Sequence, residues 1–210
     1  MFPIPRRILE SPLLRAGGFA VARGLLTTSG FEQLRREAEQ QRAIAQDVFT
    51  ARSDKEQHRG GDPARKYLSA PGGAFQQAIY TDPGMLQYLT AIAGLPVSAT
   101  GGYGTFTYYC RRGDYLTVHR DVARCDLALI TCLEDSGSHG SEGKLCLYPD
   151  RIHEPLSEIR RRPALGALTM RLAPGDSLLL LGGVVPHCTI PVGEQQTRIV
   201  SLLCYRAAVG

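Results

Sequence analysis

Several features that define common protein classes are missing from this sequence. No apolar stretch approaches the length of a membrane-spanning helix, and the N-terminus lacks the continuous apolar core of a signal peptide. No Cys-x-x-Cys pair occurs, so zinc-knuckle and thioredoxin-type motifs have no support. Lysine is scarce, and the one dense basic run is the three arginines at 160–162. We therefore expect a cytoplasmic protein that contacts neither a membrane nor a nucleic acid.

What the sequence does contain fits a single globular unit. The chain has 210 residues, of which 43% are hydrophobic and 21% are charged, and these values favour one domain with a substantial core. The formal net charge of +4 is carried almost wholly by arginine, which suits an anionic small-molecule ligand at least as well as a nucleic acid. Most of the six cysteines lie in apolar runs, which predicts buried free thiols rather than disulfides. A homo-oligomer has no specific support.

The chain changes character near residue 100. Residues 1–100 mostly predict helices and loops that support the second part of the chain or cover it as a lid. A capping box that begins at Ser29 predicts a helix that continues to about Val48. A proline-initiated segment bounded by a glycine predicts a second helix at 83–93. Residues 51–80 are rich in glycine and proline and predict a surface loop or lid.

From about residue 101 the sequence becomes a series of short apolar runs separated by turn signals. The predicted strands lie at 103–109, 115–120, 126–133, 144–148, 166–171, 177–181, 188–190 and 198–205. Eight short strands with this punctuation predict a jelly roll or barrel. Helices in front of the strands would buttress one sheet, which makes an α+β domain with its core at 101–206.

One spacing within these strands points to a metal site. His119 and Asp121 are two positions apart, and residues at that spacing in a strand face the same side. His187 lies on the far side of several predicted strands, which a closed β-roll can bring close. Two imidazoles and one carboxylate form the facial triad associated with non-haem Fe(II) oxygenases. By itself the His-x-Asp pair is weak support, because two hydrogen-bonded residues on a strand would show the same spacing.

The motifs around the triad occur in a characteristic order. They are Tyr108-Tyr109, Gly113-Asp114, His119-Arg120-Asp121, Gly143-Lys144-Leu145, Pro174-Gly175-Asp176, Pro186-His187, Pro191-Val192 and Arg198. This order resembles the prolyl 4-hydroxylase-like branch of the 2-oxoglutarate/Fe(II)-dependent oxygenase superfamily, over about residues 101–206. The resemblance implies a double-stranded β-helix, or jelly roll, of about eight antiparallel strands buttressed by N-terminal helices. It also implies that residues 1–210 are a single oxygenase domain.

The resemblance also assigns roles to the residues of the triad and their neighbours. His119, Asp121 and His187 become the catalytic residues and the Fe(II) ligands, with 2-oxoglutarate as cosubstrate, O2 as oxidant and ascorbate as a candidate reductant. Arg198 becomes the partner of the distal 2-oxoglutarate carboxylate, since arginine pairs with carboxylates through two parallel hydrogen bonds. An ordinary surface arginine is the alternative role. Some relatives carry a serine two positions after this arginine, where this chain has Val200.

Other cosubstrate contacts follow with less support from the residues themselves. Tyr109 is the candidate for a phenolic hydrogen bond to the same carboxylate, although the adjacent Tyr108 points the opposite way and either one could face the ligand. Leu129 and Thr189 are candidates to line the cosubstrate pocket, and core packing is the alternative role for both.

The implied activity is hydroxylation of a substrate coupled to release of succinate and CO2. Related halogenases replace the triad carboxylate with a small residue, so Asp121 favours hydroxylation, with desaturation or cyclisation still open. We expect a small molecule such as an amino acid or a natural-product intermediate. Candidate contacts to an anionic substrate are Arg65, Lys66, Arg120 and Arg124. The alternatives are a protein or peptide side chain as substrate, a non-catalytic binding or sensing module, and a cupin-like hydrolase or isomerase that uses another divalent metal.

Overall fold

The structure is a computed structural model that describes residues 4–51, 59, 62–102, 104–137 and 140–207. Its α-helices are α1 (Arg6–Leu9), α2 (Pro12–Arg15), α3 (Thr28–Gln41), α4 (Ala74–Thr81), α5 (Pro83–Ala93) and α6 (Leu156–Arg161), with 3-10 turns at Arg42–Ile44 and Pro149–Arg151. Its strands are β1 (Phe19–Ala22), β2 (Gln46–Thr50), β3 (Arg65–Pro71), β4 (Val97–Ala99), β5 (Thr105–Tyr109), β6 (Tyr115–His119), β7 (Leu127–Asp135), β8 (Leu145–Leu147), β9 (Leu168–Met170), β10 (Ser177–Leu180), β11 (His187–Thr189) and β12 (Arg198–Ala207).

The described strands form one antiparallel sheet that curls into a jelly roll. Its order is β1-β10-β7-β12-β5-β3-β6-β11-β8-β9, with β2 added to β3 and β4 added to β12. Neighbours in this order are far apart in the chain, as when β7 pairs with both β10 and β12. Such non-sequential pairing closes the sheet on itself, so the side chains on its inner face meet in a common interior. The predicted α+β double-stranded β-helix is confirmed.

The strand count is higher than predicted, because the described residues contain twelve strands rather than about eight. All eight predicted strands form, with end shifts of a few residues, although Tyr103 at the start of the first lies outside the described residues. The four additional strands, β1 to β4, come from the first hundred residues. The most important is β3, which lies between β5 and β6 within the sheet.

The prediction of a loop or lid at 51–80 is wrong for much of that segment. Residues Arg65–Pro71 form β3 and residues Ala74–Thr81 form α4. Pairing with β2, β5 and β6 supplies the backbone hydrogen bonds that hold β3, and these pairings come from elsewhere in the chain. Positions 52–58, 60 and 61 of the predicted loop lie outside the described residues.

The two predicted helices differ in how well their bounds hold. Helix α5 spans the predicted residues, with Met85 N donating to the Asp82 side chain at 2.7 Å and Gly94 ending the helix in the left-handed conformation. Helix α3 begins at Thr28 because Thr27, not Ser29, accepts from Gly30 N at 3.1 Å. It ends at Gln41, before the predicted boundary, because the following residues pair with β3 as strand β2.

Helices pack against the outside of the roll. Leu34 and Ala38 of α3 pack on Phe106 and Tyr108, and the Tyr108 hydroxyl donates to Ala38 O at 2.6 Å. On the opposite side of the molecule α6 packs on the outer face of β6 and β8. Each fully buried aromatic side chain of this kind stabilises the fold by about 2–3 kcal/mol.

The cysteines depart from the prediction at one pair. Cys125 and Cys204 form a disulfide with Cα atoms 5.0 Å apart, within the range that this bond requires. It ties the loop after Asp121 to β12. Cys110, Cys132, Cys146 and Cys188 are free thiols, as predicted. None of the helices in the described part of the chain combines the length and apolar character that crossing a membrane demands.

Candidate metal centre and its two chambers

Two histidines meet because β6 and β11 pair in one register. His119 ends β6, His187 begins β11, and the two residues are direct partners in the antiparallel ladder. Side chains of directly opposed residues point to the same face of a sheet, here the interior. The two imidazole rings are accordingly 4.2 Å apart between centroids, and both residues are buried. They are 68 positions apart in the sequence (187 − 119), and the pairing that joins them is not specified by the sequence alone.

Asp121 completes the group from the loop that follows β6. Its backbone N donates to Gly182 O at 2.8 Å, which fixes the loop against the turn before β11. Its Oδ1 lies 3.6 Å from Nε2 of His119 and 3.6 Å from Nε2 of His187. A Cβ at Gly182 would overlap Oδ2 of Asp121, so the turn needs glycine to leave room for the carboxylate.

The hydrogen bonds of the imidazoles fix which nitrogen is free. Nδ1 of His119 lies 2.9 Å from Thr117 O, and Nδ1 of His187 lies 3.0 Å from Val185 O. A carbonyl accepts only, so each Nδ1 carries the proton and each Nε2 turns its lone pair towards Asp121. Burial, followed by the nearby His119, lowers the pKa of His187 to about 4. His187 is therefore neutral near pH 7, the state that binds a metal ion.

This donor set suits a divalent cation. The ligand atoms of His119, Asp121 and His187 all lie within 4.8 Å of one another, and among the described residues they form the one His/Cys/Asp/Glu cluster with this geometry. Two nitrogens and one carboxylate oxygen on one side of an ion are typical of non-haem iron, whereas structural zinc sites favour cysteine or four protein ligands. The structure thus brings together the three side chains that the sequence predicted.

A small cavity extends from the triad into the roll, and we call it the inner chamber. Its volume is about 80 Å³. Its lining includes Tyr67, Thr107, Tyr109, Leu116, His119, Asp121, Ile130, Leu145, His187, Thr189, Arg198, Val200 and Leu202. A predominantly apolar wall with a few polar groups at opposite ends suits a small polar ligand held at both ends.

Arg198 is the one arginine that lines the inner chamber among the described residues. The side chain is only 1% exposed, and Nη1 donates to Asp135 Oδ2 at 3.2 Å. Its Nε and Nη2 are buried and have no hydrogen-bond partner among the residues that the structure describes. Unpaired donors on a buried cation are costly, so these two N–H groups indicate a ligand that supplies acceptors.

The two adjacent tyrosines of β5 face opposite sides of the sheet. Tyr109 lines the inner chamber and makes an edge-on contact with Tyr67, with ring centroids 5.5 Å apart. Burial raises the pKa of Tyr109, so its phenol stays protonated and can donate. Tyr108 instead contacts α3, as described above. The structure therefore places Tyr109, not Tyr108, at the chamber.

Of the two other predicted lining residues, one lies at the chamber and one does not. Thr189 lines it. Leu129 does not line the chamber. Alternation along β7 puts the next residue, Ile130, in the chamber and turns Leu129 to the opposite face. That face also carries Thr131, whose hydroxyl lies 2.9 Å from Ser177 Oγ.

A second cavity adjoins the triad on the other side, and we call it the outer chamber. Its volume is about 210 Å³. It shares Tyr67, Leu116, His119, Asp121 and Leu202 with the inner chamber. The remaining lining residues are Pro63, Arg65, Tyr80, Thr100, Gly102, Thr105, Val122, Arg124 and Cys204. The triad therefore lies where the two chambers meet.

Of the four predicted substrate-binding cations, two line the outer chamber and two do not. Arg65 and Arg124 line the outer chamber. Lys66 is adjacent to Arg65 on β3, so strand alternation directs it away from the chamber. Arg120 is buried, with its guanidinium donating to the backbone carbonyls of Val184, Ile152 and Glu154 at 2.7 to 3.0 Å. Lys66 and Arg120 therefore do not line the outer chamber, and the predicted substrate contact of each has no support from this cavity.

The sequence analysis missed Tyr67, Ile130 and Asp135. Tyr67 belongs to β3, which was predicted as loop, and it separates the two chambers. Ile130 was missed because the prediction placed the opposite face of β7 in the interior. Asp135 ends β7 directly opposite Arg198 of β12, and only that register reveals it.

Comparison with known proteins supports the fold. No protein-family model matches the chain, and no curated protein matches it significantly. Among solved structures, a prolyl-4-hydroxylase from Pseudomonas putida aligns over 94% of this chain and 96% of its own, with 15% identity and a TM-score of 0.61. HygX from Streptomyces hygroscopicus, solved with nickel and 2-oxoglutarate bound, aligns over 97% and 87%, with 16% identity and a TM-score of 0.64. The non-haem α-ketoglutarate-dependent epimerase SnoN from nogalamycin biosynthesis aligns over 97% and 80%, with 16% identity and a TM-score of 0.69.

These structural likenesses show that the chain has the fold of 2-oxoglutarate–Fe(II) oxygenases. The resemblance found in the sequence motifs is thus confirmed at the level of the fold, with a prolyl 4-hydroxylase among the similar structures.

Proposed function

We propose that this protein is an Fe(II)- and 2-oxoglutarate-dependent dioxygenase. The observation that carries the proposal is the pairing of two features in one cavity. A His-Asp-His triad and a buried arginine, two of whose nitrogens lack a hydrogen-bond partner among the described residues, line the same inner chamber. A diacid whose one end chelates a metal and whose other end is a carboxylate matches both.

In this proposal His119, Asp121 and His187 hold the Fe(II), and Arg198 holds the distal carboxylate of 2-oxoglutarate. Tyr109 and Thr189 line the path between them, and Tyr109 contributes a phenolic donor. When bound, the iron and cosubstrate supply the oxidising chemistry, with O2 consumed and succinate and CO2 released; ascorbate serves as a candidate reductant. The protein's own contribution is to orient these groups and limit the access of water.

The outer chamber is the proposed place of the substrate. It borders His119 and Asp121 and carries Arg65 and Arg124, which favour a substrate with an anionic group. A volume of about 210 Å³ suits an amino acid or a fragment of a natural-product intermediate. We propose hydroxylation of such a small molecule. A protein or peptide side chain is the second candidate, because the similar structures include a prolyl-4-hydroxylase.

We further propose that residues 1–210 act as one oxygenase domain. Support comes from β3, which belongs to the first hundred residues yet provides Tyr67 to both chambers and Arg65 to the outer one. A jelly-roll core at 101–206 alone would lack these two side chains.

The proposal is tested by loading the metal-free protein anaerobically with Fe(II) and adding 2-oxoglutarate, candidate substrates and O2. We expect succinate formation, measured by mass spectrometry, that requires both Fe(II) and O2. A mass gain of one oxygen atom in a substrate would identify the hydroxylated compound.

Three results would favour the other candidates. Turnover of a substrate without O2, in the presence of Zn(II) or Mn(II), would indicate a cupin-like hydrolase or isomerase. Binding of 2-oxoglutarate without succinate formation for any substrate would indicate a sensing module. No binding of 2-oxoglutarate to the Fe(II) protein would remove the proposed cosubstrate altogether.

A further inference from the structure

A buried acid, Asp135, contacts Arg198 and does not line the inner chamber. Asp135 ends β7, faces Arg198 in the register of β7 and β12, and has a side chain only 1% exposed. Its Oδ2 accepts from Arg198 Nη1 at 3.2 Å. Its Oδ1 accepts from Gly137 N at 2.9 Å and from Gln196 Nε2 at 3.5 Å. The carboxylate is therefore held from several directions and cannot rotate freely.

This arrangement determines which edge of the guanidinium faces the chamber. Arginine presents its donors in a rigid planar fork. With Nη1 bonded to Asp135, the edge that carries Nε and Nη2 is the one without a protein partner. That edge has the two parallel N–H groups that a carboxylate accepts in a paired arrangement.

An acid so close to Arg198 would by itself cancel the charge that attracts a diacid. A second arginine prevents this. Arg171 makes an ion pair with Oδ1 of Asp135 and donates through Nη2 to Glu142 O at 2.6 Å. The cluster of Arg198, Arg171 and Asp135 then has a formal charge of +1 (two arginines minus one carboxylate). A ligand carboxylate of charge −1 makes it neutral.

Resting on the proposed function, we infer that Asp135 and Arg171 are positioning residues for cosubstrate recognition. Asp135 orients the guanidinium of Arg198, and Arg171 preserves the positive charge of the cluster without touching the ligand. Arg171 is absent from the lining of the inner chamber, so its effect on the ligand is electrostatic.

The test compares two ligands that chelate a metal in the same way. 2-Oxoglutarate has a distal carboxylate, and 2-oxobutyrate does not. Their affinities are measured by calorimetric titration of the Mn(II)-loaded protein, which avoids turnover. Arg171→Gln should weaken 2-oxoglutarate binding roughly tenfold, because one unit charge is lost close to a buried ligand charge. Binding of 2-oxobutyrate should stay within twofold of wild type.

Two matched variants separate charge from structure. Arg171→Lys keeps the charge and should stay within about threefold of the wild-type 2-oxoglutarate affinity. Arg112→Gln removes an arginine from an exposed ion pair with Glu194 and should change neither affinity. In steady state, Arg171→Gln should raise the KM for 2-oxoglutarate while kcat at saturation changes less than twofold.

Asp135→Asn raises the formal charge of the cluster to +2, so orientation is judged from the preference between two diacids of equal charge. Freed from its carboxylate partner, Arg198 should adapt to a longer diacid, so the preference for 2-oxoglutarate over 2-oxoadipate should fall. Circular dichroism confirms that the variant is folded before the affinities are compared.

Several outcomes would overturn the inference. Wild-type affinity for 2-oxoglutarate in Arg171→Gln would show that its charge is not used, and an equal loss for both ligands would indicate general damage. An unchanged preference in a folded Asp135→Asn protein would remove the orienting role. If the wild-type protein does not prefer 2-oxoglutarate to 2-oxobutyrate, the proposed cosubstrate itself is wrong, which is a distinguishable result.

Discussion

The inner and outer chambers meet at the same triad but hold their charges differently. In the inner chamber Arg198 is 1% exposed and is fixed by Asp135. In the outer chamber the Arg65 side chain is 16% exposed and pairs with Asp62 at 3.4 Å, and Arg124 lies exposed at the surface. Buried charges with fixed partners have one geometry, whereas exposed ones adjust at little cost.

This difference matches the two ligands that we propose. A cosubstrate of constant structure is best bound by a preorganised site, since no ordering cost is then incurred on binding. A substrate site at the surface can change its arginines without disturbing the core. Substitutions should distinguish the functions of the two chambers, and the largest effect is expected from one that disables both.

Removing a metal ligand should have the largest effect, because both chambers depend on the triad. We expect His187→Ala, His119→Ala or Asp121→Ala to reduce succinate formation at least a hundredfold and to weaken Fe(II) binding, measured by calorimetry. His153→Ala, which removes a histidine outside the triad, is the control and should retain activity. Full activity in any of the three triad variants would refute the assignment.

Arg198→Ala should damage the inner chamber alone. The variant loses two charge-assisted hydrogen bonds to the cosubstrate, so the KM for 2-oxoglutarate should rise by about a hundredfold. Affinity for Fe(II) should be unchanged, because Arg198 is not one of the three proposed metal ligands. Kinetics at several 2-oxoglutarate concentrations check this, and an unaltered KM would exclude Arg198 from the site.

The double variant Arg65→Gln, Arg124→Gln should damage the outer chamber alone. Loss of two partly exposed cations should raise the KM for an anionic substrate by about tenfold while the KM for 2-oxoglutarate stays the same. A rise in the 2-oxoglutarate KM instead would mean that the chambers are not separate.

Arg120→Gln provides the contrast for this pair. Because its guanidinium bonds three backbone carbonyls, the substitution should lower the free energy of unfolding by about 3 kcal/mol and leave both KM values unchanged. Urea denaturation measures the first effect. A stable protein with poor substrate binding would restore Arg120 to the substrate site.

The smallest effect on the chambers is expected from alkylation of a cysteine outside them. Cys146 and Cys188 line a groove of about 840 Å³ on the far side of β8 and β11. A hydrogen bond with Cys188 lowers the pKa of Cys146 to about 7, whereas burial raises the pKa of Cys132 to about 11. Iodoacetamide reacts with thiolates, so its rate at Cys146 should rise with pH through about 7, well before Cys132 reacts.

Peptide mass spectrometry measures both rates, and Cys146→Ser is the control. Cys146 and its neighbour in the groove face away from the chambers, so 2-oxoglutarate affinity after alkylation should stay within twofold. Faster labelling of Cys132 than of Cys146 would contradict the prediction.

How far the sequence predicted the site depends on the kind of information each residue carries. The spacing of His119 and Asp121, with His187 before Pro191-Val192, identified the triad because the motif order is local and distinctive. The prediction that Leu129 lines the pocket failed because a strand of continuous apolar residues does not reveal which face lies inside. Tyr67 was missed because local composition predicted a loop there, whereas β3 is held by pairing with distant strands.

The sequence by itself determined the strand-rich second half, helix α5, the metal-binding residue types and the candidate arginine. Only the tertiary structure decided that Tyr109 and not Tyr108 faces the inner chamber, that Arg120 donates to backbone carbonyls, and that Asp135 contacts Arg198. The physical reason is that residue chemistry and short-range periodicity are properties of the chain. The register of the strands, the face on which each side chain lies and its burial are set only when strands separated by many residues pair.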